Sequence, residues 1–181
     1  MRHVFILNPV AGKNQTALTL RGKIDAYFSR HPELEYRVRL TDGVGAATRI
    51  AREECEMGDP VRLYACGGDG TLQETANGIP VGRDDVELTV IPCGSGNDYV
   101  RTFGGSEAFC ELADLIEGQA VPVDAVDCGD RISLNIASIG LDLAQFDALY
   151  GEKKIDDALK FAKDLKDRYS VLWMYYDLLV S

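Results

Sequence analysis

The stretch CGGDGTLQETANGIP, residues 66–80, places three glycines and one acidic residue in its first five positions. A loop that only reverses the chain can be built from glycine and asparagine, so the carboxylate of Asp69 needs a separate explanation. The glycines can adopt positive φ and let backbone N–H groups point at phosphate oxygens. Asp69 would then meet a metal ion or a reacting hydroxyl. The glycines concerned are Gly67, Gly68 and Gly70.

Short apolar runs alternate with helical patterns on both sides of this loop. Strand, loop and helix recur four times, which predicts an α/β fold with a parallel sheet and helices on both of its faces. The run EYRVRL alternates polar and apolar residues, as expected of a strand at the sheet edge. The predicted strands are residues 3–8, 35–40, 61–66 and 86–93, and the predicted helices are residues 15–30, residues 43–57, a helix from near Thr71 and a short helix after GSGND.

Three loops with unusual chemistry follow predicted strands: NPVAGK (8–13), GGDGT (67–71) and GSGND (94–98). In an open parallel sheet, ligands bind outside the carboxyl ends of the strands. NPVAGK lacks the full P-loop pattern, and taken alone it is as consistent with a simple strand-to-helix turn. In GGDGT, Thr71 can cap the following helix, whose N-terminus favours an anion. In GSGND, Ser95 offers a hydroxyl, and the last two residues either join a site or only cap a helix.

The polar residues of these loops favour phosphoryl transfer. Neither His3 nor His31 has a partner that suggests a nucleophilic triad. Phosphoryl transfer needs mainly positioning and charge neutralisation, so backbone amides, a bound Mg²⁺ and a carboxylate that orients the acceptor suffice. Asp69 would hold the metal directly or through water, or it would accept the proton of the attacking hydroxyl.

Composition excludes several classes of protein. The chain of 181 residues is 46% hydrophobic and has a formal net charge of -10, which argues against a nucleic-acid binder and against unaided attraction to an anionic membrane. The N-terminal apolar run, residues 4–7, is too short for a signal peptide, and no stretch approaches the length of a membrane span. The five cysteines lack CxxC spacing, which favours reduced buried thiols. We therefore expect a cytoplasmic protein without a transmembrane segment.

In order and spacing, NPVAGK, GGDGTLQETANGI and IPCGSGNDYVR resemble the catalytic region of the diacylglycerol kinase superfamily, over residues 2–140. GGDGT alone is shared with NAD kinases, whereas GSGNDYVR points to the lipid branch. The resemblance implies an ATP-dependent lipid kinase that transfers the γ-phosphate of Mg-ATP to a lipid hydroxyl such as that of diacylglycerol. It also implies that residues 1–120 form a nucleotide-binding α/β domain like the N-terminal domain of NAD and diacylglycerol kinases.

The resemblance further implies the residues of the site. Asp69 and Asp98 take catalytic roles, and Asp69 is the residue expected to bind Mg²⁺. Two residues depart from the family pattern: Ser95 replaces a usual Thr and keeps its hydroxyl, while Ala11 replaces a usual Ser. The residues expected to bind ATP are Asn8, Pro9, Gly12, Lys13, Thr41, Gly67, Gly68, Gly70, Thr71, Glu74, Ser95 and Asn97.

Residues 121–142 resemble the start of the β-rich second domain of this family, a strand hairpin that ends at a Gly-Leu-Asp turn. In the family this domain is longer and supplies a later catalytic carboxylate. We therefore expect residues 121–181 to form an incomplete second domain, a hairpin followed by a helical tail, and the isolated chain to have weak activity or none. The lipid acceptor implies transient contact with the inner membrane surface.

The tail, residues 154–180, carries apolar residues at three- and four-residue steps, which predicts one long helix or two consecutive ones. Such a stripe packs on the first domain or on another copy, and a lipid-facing surface is the alternative. We expect a two-fold homodimer with Tyr169, Trp173 and Tyr176 in or beside the contact.

Two other functions stay open from the sequence. An NAD kinase would use the same GGDGT chemistry with a soluble acceptor, although GSGNDYVR disfavours it. A nucleotide-binding fragment without catalysis is the second alternative, because the family's second domain is incomplete in this chain.

Overall fold

The computed structural model describes residues 1–12 and 16–135, which belong to one compact unit, Met1–Asn135. The strands and helices alternate as the sequence predicts, and the largest difference in a starting position is at α2, predicted from residue 43. A short 3₁₀ helix, Ser106–Phe109, separates the last two helices. The elements are β1 Arg2–Leu7, α1 Thr16–Phe28, β2 Tyr36–Leu40, α2 Ala46–Glu56, β3 Val61–Gly67, α3 Asp69–Gly78, β4 Val86–Pro92, α4 Asp98–Thr102, α5 Leu112–Glu117, β5 Val126–Asp127 and β6 Ile132–Ser133.

The first four strands form one parallel sheet in the order β2-β1-β3-β4. In register, Leu7 at the end of β1 lies opposite Leu40 of β2 and Cys66 of β3, and Gly67 lies opposite Pro92 of β4. The four carboxyl ends therefore line up along one edge of the sheet. The predicted parallel sheet is confirmed, as is the edge position of β2.

Helices cover both faces of the sheet. Along β1, Phe5 and Leu7 face a core formed with α1 and α5, whereas Val4 and Ile6 face a core formed with α2. A third cluster contains Leu72 of α3 together with residues of β3 and α4, and it lies on the α2 side of β3. Burial on both faces explains why the strands read as continuous apolar runs rather than alternating ones.

Helix α3 packs closely on α2 because Gly78 has no side chain. A β-carbon there would lie 2.6 Å from the Ala51 Cβ and would overlap the Thr48 carbonyl oxygen. The N-terminus of α3 differs from the expectation for Thr71. The helix begins at Asp69, its N-cap is Gly68, and it has no side-chain cap hydrogen bond, so Thr71 is not the cap.

A two-stranded antiparallel hairpin, β5–β6, follows the α/β part, and it is the described portion of the predicted hairpin. The Gly-Leu-Asp turn at residues 140–142 and the predicted helical tail at residues 154–180 lie outside the described residues. Within the described part, none of the helices combines the length and the apolar character that crossing a bilayer requires.

At the amino ends of the strands, His3 is buried in a polar contact. Its side chain is 4% exposed, and Nδ1 forms a 2.8 Å hydrogen bond with the Tyr64 hydroxyl. Burial lowers the pKa of His3 to about 4, with a smaller contribution from the Arg62 guanidinium. The imidazole is therefore neutral in the folded protein near neutral pH.

We expect folding stability to fall between pH 6.5 and about 4 because of His3. The unfolded chain protonates this histidine first, so the contribution of neutral His3 is complete above pH 6.5 and is lost as the pH falls toward 4. The loss is at most about 3 kcal/mol. Urea unfolding of the wild type and of His3→Gln at several pH values measures it. Equal slopes in the two proteins would contradict the assignment to His3.

Candidate active site

The three loops singled out from the sequence lie side by side at the carboxyl edge of the sheet. The strand order places the loop after β3 between the loop after β1 and the loop after β4. Backbone bonds continue past the strands: the Asn8 N–H donates to the Cys66 carbonyl, and the Cys93 N–H donates to the Gly67 carbonyl. Thr41, after β2, donates its N–H to the Leu7 carbonyl at 3.0 Å. The fold thus brings four separate segments to one edge.

Asp69 bridges the loops after β3 and β4. Its Oδ1 accepts a 3.1 Å hydrogen bond from the Tyr99 N–H, in the first turn of α4. Its Oδ2 lies beside Gly96, where a β-carbon would approach to 3.1 Å. A carboxylate at a helix N-terminus satisfies an otherwise unpaired N–H and interacts favourably with the helix dipole. Asp69 therefore caps a helix 30 residues further along the chain.

The glycines allow two backbones to touch, and this corrects the expectation of positive φ. Gly68 has φ −95°, and Gly67 and Gly70 are not among the glycines with positive φ. A β-carbon on Gly94 would lie only 2.5 Å from the Gly68 Cα, and one on Gly67 would lie 2.6 Å from the Thr71 Cβ. Close approach, not left-handed backbone, is the physical reason for Gly67, Gly68 and Gly94.

The loop after β4 is held by Asn97. This residue adopts the left-handed conformation, φ 54°, and its amide accepts from the Gly94 N–H at 3.1 Å and donates to the Gly94 carbonyl at 2.8 Å. The Asn97 side chain therefore closes its own loop and makes no cap hydrogen bond to α4. Asp98 is the first residue of α4 and pairs with Arg101 at 2.6 Å, while Ser95 is exposed.

The loop after β1 is tied to the loop after β3 through side chains. The Asn8 amide donates to the Thr71 hydroxyl at 3.3 Å, and its Oδ1 accepts from the Val10 N–H at 3.1 Å. Pro9 and Gly12 are exposed, and Gly12 has φ 79°. Lys13, the remaining expected contact from this loop, lies outside the described residues.

Glu74 binds the N-terminus of α2. Its two carboxylate oxygens accept from the Gly45 N–H at 2.9 Å and from the Ala47 N–H at 3.2 Å. The Thr48 hydroxyl donates to the Glu74 carbonyl at 2.8 Å. Glu74 therefore fixes the segment after β2 that contains Thr41, rather than projecting alone into the loop cluster.

The residues present suit a metal ion that a phosphate ligand brings with it. Among the described residues, no group of three or more His, Cys, Asp or Glu side chains could enclose a metal ion. Mg²⁺ commonly takes one or two carboxylates and completes its shell with substrate phosphates and water. The Gly68–Gly94 contact leaves backbone rather than side chains beside Asp69, which fits a close phosphate.

The thiols do not add a nucleophile to this edge. Burial raises the pKa of Cys66 well above its ordinary value and also raises the pKa of Cys93, so both stay protonated at neutral pH. All five cysteines are free, and Cys110 and Cys128 are exposed. The free thiols agree with the expectation of reduced cysteines, but the expected burial is not found for Cys110 and Cys128.

An apolar cleft of about 430 Å³ adjoins the end of β4. It lies between α1 and the segment from the 3₁₀ helix to α5, and Lys23 is its charged lining residue. Its other lining residues are Thr19, Leu20, Ile91, Pro92, Cys93, Phe109, Cys110, Leu112 and Leu115. This cleft is distinct in character from the glycine loops, whose groups are backbone amides and carboxylates.

The candidate site also uses residues that sequence reasoning left out. Gly94 and Gly96 allow the contacts described above, and their position on either side of Ser95 was the signal available in the sequence. Gln73 and Asn77 were not assigned a role, and both bind the β6 backbone. Their spacing of one helical turn on α3 could have indicated a shared contact.

Comparison with known proteins identifies the class to which this fold and site belong. The sequence model of the diacylglycerol kinase catalytic domain matches residues 2–128. The chain therefore belongs to the diacylglycerol kinase catalytic domain family, as its motifs indicated.

Individual relatives agree. A Pseudomonas aeruginosa protein named "Probable lipid kinase YegS-like" is 32% identical over 135 residues, which cover 75% of this chain and 44% of that protein. A Pseudomonas fluorescens protein of the same name is 31% identical over 71% of this chain and 42% of its own length. The crystal structure of a diacylglycerol kinase from Bacillus anthracis superposes with a TM-score of 0.58 at 26% identity, over 81% of this chain and 52% of that one. The chain thus spans about half the length of the relatives it matches.

We expect Gly94→Ala to destabilise the protein, since its β-carbon would meet the Gly68 backbone, which cannot rotate away as a side chain can. The expected loss is about 1–3 kcal/mol, typical of an overpacked contact. Gly70→Ala is the matched control, because no atom lies within 4 Å of its β-carbon. Thermal unfolding followed by circular dichroism compares the two. Equal melting temperatures would show that the loops do not touch in solution.

Proposed function

We propose that this chain carries the nucleotide-binding part of an ATP-dependent lipid kinase. In this proposal the γ-phosphate of Mg-ATP is transferred to a lipid hydroxyl such as that of diacylglycerol. Family membership supports the kinase class, and the names of the relatives support a lipid as acceptor.

One observation carries the proposal. The GGDGT and GSGND backbones touch at Gly68 and Gly94, with the Asp69 carboxylate beside them at the carboxyl edge of a parallel sheet. Glycine backbone at a helix N-terminus suits phosphate oxygens, because N–H groups point outward and no side chain blocks approach. This arrangement favours a phosphorylated substrate over a neutral one.

The residues proposed to bind ATP are those the family resemblance implies, from the loops after all four strands. Asp69 would bind Mg²⁺ through Oδ2, since Oδ1 accepts from the Tyr99 N–H. Bound Mg²⁺ would neutralise charge on the phosphates. Asp98 is proposed as the second carboxylate, at the start of α4. Lys13 keeps its proposed role in ATP binding, although it lies outside the described residues.

Several finer parts of the proposal concern the whole protein. The acceptor lipid would be met at a membrane surface, with the protein otherwise in the cytoplasm. The homodimer through residues 154–180 and the division into residues 1–120 and 121–181 stay predictions, since the tail lies outside the described residues. An NAD kinase-like activity and a nucleotide-binding role without catalysis are the alternatives.

Phosphate transfer from γ-labelled ATP to a lipid extract, with NAD as a parallel acceptor, tests the proposal. With a form of the protein that has a complete second domain, we expect label in the lipid fraction and none in NADP. Label in NADP alone would favour the alternative kinase. Calorimetric Mg-ATP binding without transfer to either acceptor would favour the non-catalytic role.

Gly70→Asp is the variant suited to this assay. Gly70 is exposed with no atom within 4 Å of its β-carbon, so the variant should fold, and an acidic residue is tolerated in the first helical turn. A negative charge in the phosphate cradle should weaken Mg-ATP binding by about tenfold or more. Gly70→Ala, with the same β-carbon and no charge, should lose much less affinity than Gly70→Asp. Equal affinity of all three proteins would remove this loop from the site.

In a complete and active form of the enzyme, we expect Asp69→Asn to lower turnover far more than ATP affinity. Asparagine keeps the oxygen that accepts from the Tyr99 N–H, so α4 stays capped while the charge is lost. A carboxylate that acts on the metal or on the acceptor proton matters most in the transition state. The expected loss in kcat is about a hundredfold.

Steady-state kinetics and nucleotide titration of Asp69→Asn and Asp69→Ala measure this effect. The alanine variant also removes the cap and should lose stability as well as turnover. Equal losses of kcat and ATP affinity in Asp69→Asn would recast Asp69 as a residue that only structures the loop.

A further inference from the structure

Two amide side chains of α3 bind the outer edge of β6. The Asn77 Oδ1 accepts from the Ile132 N–H at 2.9 Å, and its Nδ2 donates to the Ile132 carbonyl at 3.0 Å. The Gln73 Nε2 also donates to the Ile132 carbonyl, and its Oε1 accepts from the Leu134 N–H at 3.4 Å. The N–H groups of residues i and i+2 of a strand face the same side, so these contacts replace the bonds of a neighbouring strand.

The hairpin itself is short. Its strands are two residues each, Val126–Asp127 and Ile132–Ser133, and the first of them is exposed. An isolated two-stranded hairpin is marginal in water. Partly buried Leu134 packs on the cluster that contains Leu72 and Val100. This apolar contact does little to fix the orientation of the strand. The amides define where the strand lies along α3, because hydrogen bonds are directional.

The same helix carries the candidate site at its other end. Asp69 is the first residue of α3, and Gln73 and Asn77 follow at steps of four residues. A helix of ten residues is a short rigid element, about 15 Å long at 1.5 Å per residue. Helix α3 therefore fixes the position of β6 relative to Asp69.

We propose that Gln73 and Asn77 are positioning residues that hold the β5–β6 hairpin at a fixed place relative to the Asp69 loop. This rests on the proposed function where it concerns phosphate transfer. The match covers 44% of the Pseudomonas aeruginosa relative, so that protein contains more polypeptide than the matched region. A docked hairpin keeps the end of the described chain at a fixed place relative to Asp69, where the proposed phosphate transfer would take place.

Amide hydrogen exchange in the full chain tests the docking without any activity. In Asn77→Ala we expect the Ile132 amide to exchange about tenfold faster, since one net hydrogen bond is lost. Alanine favours helix, so α3 itself should persist. Gln73→Ala should speed exchange at Leu134. Asn77→Asp keeps the acceptor for the Ile132 N–H and should retain part of its protection.

Glu74→Ala is the control on the same helix. Its carboxylate binds Gly45 and Ala47, in a different segment from the hairpin, so those amides should lose protection while Ile132 keeps it. Unchanged exchange at Ile132 in Asn77→Ala, together with unchanged exchange at Leu134 in Gln73→Ala, would overturn the docking role.

Kinetics test the positioning role. We expect Asn77→Ala to lower kcat about tenfold with little change in ATP affinity, since misplacement affects the geometry of transfer. Asn77→Asp should recover part of the rate. Lost Ile132 protection with an unchanged kcat would make the contact structural only and overturn positioning. A wild-type form with a complete second domain that transfers phosphate to no acceptor would refute the proposed function and positioning together, while exchange at Ile132 would still decide the docking.

Discussion

The backbones of Gly68 and Gly94 meet with no room for a side chain between them, and the rest of the candidate site depends on this contact. It draws the loop after β3 against the loop after β4, so Asp69 can reach the N–H of Tyr99. The parallel register supplies the rest, because it ends β3 and β4 at the same level. A glycine-rich loop here serves close packing first, and the exposed backbone beside Asp69 is its consequence.

Helix α3 extends that constraint to the surrounding segments. Asp69 caps α4, Glu74 caps α2, and the Thr71 hydroxyl accepts from the Asn8 amide in the loop after β1. Gln73 and Asn77 bind β6. The polar side chains of one ten-residue helix thus contact four neighbouring segments. Side chains that point in different directions around one helix can do this because successive residues are turned by about 100°.

Much of the fold could be predicted from the sequence because the signals are local. The apolar runs of β1 and β3 are buried on both faces, so they read as strands without any knowledge of their partners. The alternation in EYRVRL correctly indicated an edge strand. The position of the three loops could be predicted because each loop follows a strand in the sequence. Parallel strands all end at the same edge of the sheet, so the loops meet there. The wrong expectations, positive φ at Gly67, Gly68 and Gly70 and a cap at Thr71, concern backbone angles that neighbours determine.

The sequence by itself determined the alternation of strands and helices, the family, and the loops that carry the candidate site. Only the tertiary structure decided the partner of each polar side chain. Asp69 and Tyr99 are 30 residues apart, and Asn77 and Ile132 are 55 residues apart. No periodicity within either segment encodes such a pairing. The distance between their atoms depends on strand order, register and helix packing together, and these are properties of the folded chain as a whole.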